Sequence, residues 1–426
     1  MKKILLRSKT TPFDVYDPIT FIDYDKCSSN LGNLLYQHSV YKHLSTNEQI
    51  ISINNNSVNL KKVDSINKNF DHFVVPLANA FRPAYLNSLV KLTEFIKRLT
   101  IPVTVVGVGA QTDFTGNFDN LKPINEAVYN FVSTVLEKSK SIGVRGEITK
   151  KYLISLGIES DRIDIIGCPS LFTSPRNIMS IKKQGLDETS KIAFNLSATG
   201  NQAAFSDNLS NFEPIFSYNF FKYLNTTYIP QETRSLELLT YGFNKKKGIE
   251  HSMLSKEISE RVFQEGRVRF FLNSYSWFDF LKKCDFTIGT RLHGCIASLI
   301  AGKPALLFAH DSRTLEIAEY FKIPYKNLNN FHEIKDIAEL YDQVNLEPMQ
   351  HIYKDRLSTY ANFLRKNGLD TIVDKIELMD KFEENIMDIH KGLSVSPLQM
   401  NNHSIGQRLH WIKESSDFKI AKIKAR

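Results

Sequence analysis

Cysteine is scarce in this sequence and its spacing pairs none of it. The 426 residues hold four, Cys27, Cys168, Cys284 and Cys295, and no two form a CxxC. That excludes a disulfide-stapled secreted scaffold and leaves four reduced, mostly buried thiols. HExxH, the P-loop, GxSxG and zinc-ligand spacings are missing as well. Metal-dependent hydrolysis and nucleophilic-serine chemistry therefore have no support, and neither a metal site nor a cofactor is expected. Long hydrophobic runs are also absent. Nothing approaches a membrane span, and the opening "MKKILLRSKTTPFDVYD" follows its two lysines with too short an apolar run for a signal peptide. Cytoplasmic residence is the expectation. No internal repeat or low-complexity tract interrupts the chain.

What is present suits a folded protein of two or three domains, since 42% hydrophobic and 23% charged residues argue against disorder. The formal charge of +8, from 54 Lys+Arg against 46 Asp+Glu, favours anionic ligands. No RNA-recognition, zinc-knuckle or helix-turn-helix signature accompanies it, so nucleic acid is not an expected partner. Basic residues are scattered until "FKIAKIKAR", which carries Lys419, Lys422, Lys424 and Arg426. Two readings stand for that tail: a solvated, frayed terminus, or peripheral contact with the anionic inner face of a membrane.

Strand and helix patterns alternate, which predicts an α/β fold with largely parallel sheets. "HFVVPLA" (72–78) and "IPVTVVGVGA" (101–110) read as strands around the helix "AYLNSLVKLTEFIKRL". "INEAVYNFVSTVLEKS", "SIGVRG", "EITKKYLISLGI" and "RIDIIGCPSLF" then read as helix, strand, helix and strand. These build a first domain over 1–180, expected to form the acceptor side and to carry Arg145. "PRNIMSIKKQGLDETS" reads as a linker, and "KIAFNLSA" opens a second domain over 190–345. Within it, 211–225 reads as helix, 245–264 as a charged turn and a helix, and 268–324 as a regular strand-helix series. Residues 346–426 read as mostly helical, ending in the basic tail. Tandem Rossmann-like domains place their ligand in the cleft beyond the carboxyl ends of the strands, so the residues after each strand are the candidates for chemistry.

After "FTIG" come Thr290, Arg291, Leu292 and His293, expected in the first turn of the next helix. Free amides and the helix dipole favour an anion there, and a cation at that end is unfavourable unless an anion compensates it. Arg291 supplies a planar fork for phosphate or carboxylate, and His293 a group able to exchange protons near neutral pH. Cys295, within "CIASLIA", reads as packed. In the first domain Arg145 follows a strand in the same way. It is either a structural partner of Glu147 or a second anion-binding arginine facing Arg291 across the cleft. "GVGAQ", ending at Gln111, allows close backbone approach but lacks the third glycine of GxGxxG, where Thr112 stands. Asn30, Gly32 and Asn33 form a strand-to-helix entry, as a turn and N-cap or as part of the site. In "AHDSRTLEIAEYF", Asp311 or Ser312 caps a helix while His310 and Arg313 face the cleft. Tyr275, Trp277 and Phe278 have two readings, as aromatics that stack on a sugar or, for most of them, as helical core.

"SIGVRGEITKKYLISLGI", "IGCPSLF" and above all "CDFTIGTRLHGCIASLIAGKPALLF" resemble the polysaccharide pyruvyl transferase family, and the similarity runs with gaps from about residue 30 to 325. "NLGNLLYQHSVYKHL" is similar to the family's N-x-G-D entry, with Asn33 where Asp is common. The resemblance implies two Rossmann-like domains facing a cleft, as in GT-B glycosyltransferases, with a helical C-terminal extension. It implies transfer of pyruvate from phosphoenolpyruvate, as donor substrate, to a sugar of a surface polysaccharide or its precursor. The product would be a ketal, and the acceptor's carrier, lipid or otherwise, is left open. Arg291, Leu292 and His293 match the R-L-H segment that contacts the donor, and Arg145 the arginine after the first-domain strand. Two other functions fit the same architecture: a GT-B glycosyltransferase using a nucleotide sugar, and a non-catalytic scaffold of a polysaccharide assembly complex.

Overall fold

The computed structural model describes residues 1–112, 116–196, 212–241, 261–331, 335–387, 389–390, 394–397 and 402–424. Strands β1 (Lys2–Leu6), β2 (Gln49–Ile53), β3 (His72–Pro76), β4 (Val103–Val106), β5 (Ile142–Val144) and β6 (Ile163–Ile165) all run parallel. Their order is β2-β1-β3-β4, and the β5-β6 pair continues it through the Val108–Val144 bridge. Strands β7 (Ile192–Asn195), β8 (Thr226–Tyr228), β9 (Phe270–Phe271), β10 (Phe286–Gly289), β11 (Ala305–Ala309) and β12 (Tyr325–Asn327) follow. All but β9 form a second parallel sheet, ordered β12-β11-β10-β7-β8. The molecule is α/β with two Rossmann-like sheets facing a cleft, the GT-B-like arrangement.

The strands that announced themselves in sequence are buried on both faces. β3, β4, β7, β10 and β11 are buried at every residue, as parallel strands covered by helices on both sides must be. The strands without such a run went unread. β1 begins with Lys2 and Lys3, and β2 alternates buried and exposed residues at the sheet edge. β8 and β12 have three residues each, too few to carry a period.

Three segments differ from the sequence pattern. "RIDIIGCPSLF" is a strand only over Ile163–Ile165, after which Gly167 at φ 72° and Pro169 turn the chain into a 3₁₀ turn, Pro169–Phe172. The expected linker opens with the helix Pro175–Met179. "VRFF" does not join the second sheet as a full strand: Val268 only bridges Tyr228, and β9 pairs antiparallel with β13 (Ser394–Val395). The helix expected over 211–225 is present as Glu213–Lys222, whereas the charged turn expected near 245–248 lies outside the described residues. Tyr275, Trp277 and Phe278 are core on the helix Ser274–Leu281.

The C-terminal region is helical, with Glu347–Lys366, Ile376–Met387 and Asn402–Lys424. It folds back on the first sheet. Phe363 lies against Gly143, where a Cβ would come within 2.8 Å of its ring, and the buried Lys42 ammonium binds Glu383 at 2.8 Å. One apolar core accordingly runs from Leu6 of β1 to Phe308 of β11 without a break. No helix among the described residues is long and apolar enough to cross a membrane.

Candidate functional site

The turn after β10 is built around Asn195, the last residue of β7. Its side-chain Oδ1 accepts from Arg291 N–H at 3.0 Å, and its carbonyl accepts from Thr290 N–H at 2.9 Å. The fit leaves no room for side chains opposite it. A Cβ on Gly289 would lie 1.8 Å from the Asn195 carbonyl oxygen, and one on Gly294 would lie 2.3 Å from its side chain. The helix Leu292–Ile300 thus starts two residues later than its sequence suggests, with Arg291 as N-cap and no side chain capping the first turn. Its leading amides and dipole point at whatever lies ahead of them.

Ahead of them lies a cavity of about 50 Å³ that draws on both sheets. Arg145, following β5, and Thr290, Arg291, Leu292 and His293, following β10, line it. So do Asn30, His310 and Arg313, and with them Gln231 and Thr314. Arg145 is 1% exposed and makes no ion pair with Glu147. Its Nε donates to the Gly107 carbonyl at 3.1 Å, its guanidinium sits 5.5 Å from the Tyr36 ring centre, and its Nη2 is buried without a hydrogen bond. A buried guanidinium with a free donor facing a polar cavity is poised for an acceptor-rich anion.

Arg291 differs, because it has a counter-ion. Its Nη2 pairs with Glu232, and its Nε donates to the Leu196 carbonyl at 3.2 Å. The cation at this helix start, unfavourable by itself, is therefore offset inside the protein. Burial lowers the Arg291 pKa to about 10, which leaves it charged at neutral pH. Arg313 binds Asp311 at 2.9 Å and keeps a buried Nε without a partner. Asp311 closes a capping box with Thr314, as the sequence suggests. Burial opposes its charge, but Arg313, His310 and the Thr314 hydrogen bonds carry its pKa down to about 2.

His293 lies among these cations. Its Nε2 is 3.6 Å from the Cys168 thiol and its ring meets Tyr36 edge-on. Burial, then Arg145, Arg313 and Arg291, push its pKa well below the usual 6.5, so the imidazole is neutral at pH 7 in the free protein. His310 is shifted down too, chiefly by burial, and its Nδ1 has no partner. Gly32 touches this group directly: a Cβ there would fall 2.6 Å from His293 Nδ1.

The remaining residues of the entry loop have local tasks. Asn30 Oδ1 accepts from Gly32 N–H at 2.8 Å, while Asn33 Nδ2 donates to the carbonyls of Cys27 and Ser28 at 3.1 and 3.2 Å. An aspartate at 33 could not make those donations. Gln111 lies outside the cavity lining, buried between Asn79 and Asp311. "GVGAQ" admits protein rather than ligand, since Gly107 at φ 73° abuts the Tyr36 hydroxyl and Gly109 abuts Arg145.

Five further residues of the site escaped the sequence reading, Thr314 of the capping box among them. Asn195 ends a strand and was within reach of the carboxyl-end rule. Gln231 and Glu232 follow β8, a strand too short to read. Glu316 sits mid-helix, accepts from Thr149 N–H and Oγ1 across the cleft, and is pushed up to about 7 by burial, which those bonds and Arg145 only partly oppose. Among the described residues, no three His, Cys, Asp or Glu side chains converge as a metal site would require.

A family model for polysaccharide pyruvyl transferase matches residues 30–312. No curated protein matches the chain by sequence. Among solved structures, the chain is similar to S. aureus MnaA with UDP, at 11% identity and TM-score 0.39 over 91% of this chain and 98% of that one. It is also similar to the UDP-GlcNAc 2-epimerase of Methanocaldococcus jannaschii with UDP-GlcNAc and UDP, at 13% and 0.38 over 83% and 99%. A third is the Neisseria meningitidis UDP-GlcNAc 2-epimerase bound to UDP-GlcNAc, at 12% and 0.38 over 91% and 100%.

Proposed function

Since the chain belongs to the polysaccharide pyruvyl transferase family, we propose that it moves pyruvate from phosphoenolpyruvate to two hydroxyls of a saccharide acceptor as a ketal. The observation that carries this reading is the convergence of Arg145, Arg291, Arg313 and His293 on one cavity. Phosphoenolpyruvate offers a phosphate and a carboxylate on three carbons, a charge density that three guanidinium groups and an uncapped helix start suit.

In this reading His293 protonates the methylene carbon of the donor. A carbon–hydrogen bond forms, the adjacent carbon gains oxocarbenium character, and an acceptor hydroxyl attacks it and returns its proton to His293. The carbon–oxygen bond to phosphate then breaks, the second hydroxyl closes the ketal, and its proton leaves with phosphate. Arg145 and Arg291 orient the donor and hold the departing charge. The neutral imidazole of the free protein fits this scheme. A bound trianion offsets the three cations that depress His293, raises its pKa and loads it with the proton the first step needs.

The cavity of about 50 Å³ is smaller than the ~300 Å³ from which small-molecule sites begin. Glu232 also occupies the guanidinium a donor would take. Donor binding in this scheme parts Glu232 from Arg291 and opens the space.

The test is inorganic phosphate release from phosphoenolpyruvate with and without saccharides. Acceptor-dependent release supports the transfer; no release, with stabilisation only by nucleotide sugars, would favour the glycosyltransferase. A cytoplasmic enzyme of this kind would meet a lipid-linked acceptor at the membrane. The helix Asn402–Lys424 turns Ile405, Leu409, Ile412 and Ile420 outward, with the exposed Lys413 beside them, which supports peripheral contact with anionic lipid. Lys419 is held by Asp23 at 2.7 Å, and Arg426 lies outside the described residues. Co-sedimentation with phosphatidylglycerol vesicles but not phosphatidylcholine vesicles is the expected outcome.

A further inference from the structure

A second pocket, of about 340 Å³, adjoins the donor cavity and shares Asn30 and Arg313 with it. It lies over the carboxyl ends of β1, β2 and β3, where Arg7, Asn56 and the 76–82 segment emerge. In the strand order β2-β1-β3-β4 the chain winds to opposite sides of β1, so the crevice between β1 and β3 is the topological switch point of this sheet, where open α/β sheets bind ligands. The volume is within the ~300–1,000 Å³ of small-molecule sites.

The charge of the lining is one-sided. Arg7, Arg82 and Arg313 contribute to it and, among the described residues, no Asp or Glu does. The Arg7 guanidinium donates to the Tyr85 hydroxyl at 3.2 Å, and neither Arg7 nor Arg82 has an ion-pair partner among the described residues. Their Nε atoms, like that of Arg313, are buried without hydrogen bonds, and the Asn79 and Asn56 amide oxygens are unpartnered beside them. Burial, and after it the Arg313 charge, depress the Arg82 pKa even though Arg313 is itself paired with Asp311. Guanidinium donors and amide acceptors in one pocket suit a ligand that carries both hydroxyls and a negative charge.

We infer that this pocket receives the saccharide acceptor, and that the acceptor brings an anionic group of its own, carboxylate or phosphate ester, which Arg7 and Arg82 bind. The inference rests on the pyruvyl transfer reading for the word acceptor, but the site and its charge preference stand on the pocket alone. Arg313, on the wall between the two spaces, is the side chain both ligands would share. Tyr36, which lines this pocket, meets the His293 ring edge-on, so the pocket abuts the group assigned to proton transfer.

Calorimetric titration of the full chain tests it with galactose, galacturonate and galactose 1-phosphate, each without donor, and separately with phosphoenolpyruvate. At least one charged sugar is expected to bind about tenfold or more tighter than galactose, a loss of discrimination is expected in Arg82→Gln and Arg7→Gln, and phosphoenolpyruvate affinity is expected to stay within about twofold. Carboxylate and phosphate are told apart by which charged sugar wins. Equal binding of neutral and charged sugars by the wild type overturns the inference. So does an equal loss of phosphoenolpyruvate affinity in Arg82→Gln, which would make the pocket part of the donor site. Melting curves establish that both variants fold, and Arg82→Lys, which keeps the charge, should retain most of the discrimination. If the discrimination holds while no phosphate is ever released from phosphoenolpyruvate, the transfer reading fails and the anionic sugar site remains.

Discussion

The two adjoining cavities are lined by the same residue type and differ in what balances it. Around the smaller cavity each arginine has an acidic neighbour: Glu232 pairs with Arg291, Asp311 with Arg313, and Glu316 interacts electrostatically with Arg145. In the pocket over β1 and β3 no carboxylate of the described residues reaches Arg7 or Arg82. A balanced cluster keeps its geometry when empty and exchanges one anion for another, whereas an unbalanced one is most favourable only when an anion arrives. Arginine count alone would have treated the two as equivalent.

The strongest way to break the comparison is His293→Ala. If the chemistry belongs to the small cavity, turnover at saturating donor falls by about 10²–10⁴, as for loss of a general acid, while sugar binding in the larger pocket is unchanged. Near-wild-type turnover would remove the imidazole from the reaction. Arg145→Lys keeps the charge but loses the fork and the free Nη2. Phosphoenolpyruvate affinity should drop about tenfold to a hundredfold, the equivalent of one or two charge-assisted hydrogen bonds, in direct titrations.

A pH experiment sharpens the same contrast. His293 is depressed by burial and by three cations, so donor binding should lift its pKa and take up a fraction of a proton near pH 6.5. Calorimetry in two buffers of different ionisation enthalpy reads that uptake, and His293→Ala should lack it. Wild type and variant share a separate acid effect. His38, His43 and His72 are lowered to about 3, mainly by burial, so each contributes stability that is present above about pH 6.5 and lost as pH falls towards 3. Melting temperature should therefore decline with acid in both proteins. The smallest expected effect is that of Glu232→Gln. Removing the internal anion from Arg291 should tighten phosphoenolpyruvate binding a few-fold, whereas weaker binding would mean that Glu232 aims Arg291 rather than competing for it.

Much of this was legible in the chain. β4 and β10 are apolar runs bounded by glycine, the Asp311 cap preceded its helix, and the carboxyl-end rule selected Arg145, Arg291, His293, His310 and Arg313, all of which line one cavity. The entry loop was read at the right place but with mixed roles: Gly32 packs on His293, while Asn33 ties its own loop. Gln111 followed the same rule yet is turned to Asn79 and Asp311. The rule locates a backbone end, and the direction of one side chain there depends on neighbours it does not contain.

Local periodicity and turn chemistry were enough to place each strand end, because burial on both faces and the amides of a helix start are properties of a few consecutive residues. Which ends meet is a property of two sheets packed together. Glu232 reaches Arg291, Arg7 and Arg82 come to line one pocket, and Asn195 seats the R-L-H turn only once the strand order is set. Charge balance within a site is a sum over residues far apart in the chain, so the fold alone decided which arginines are paired and which still lack an anion.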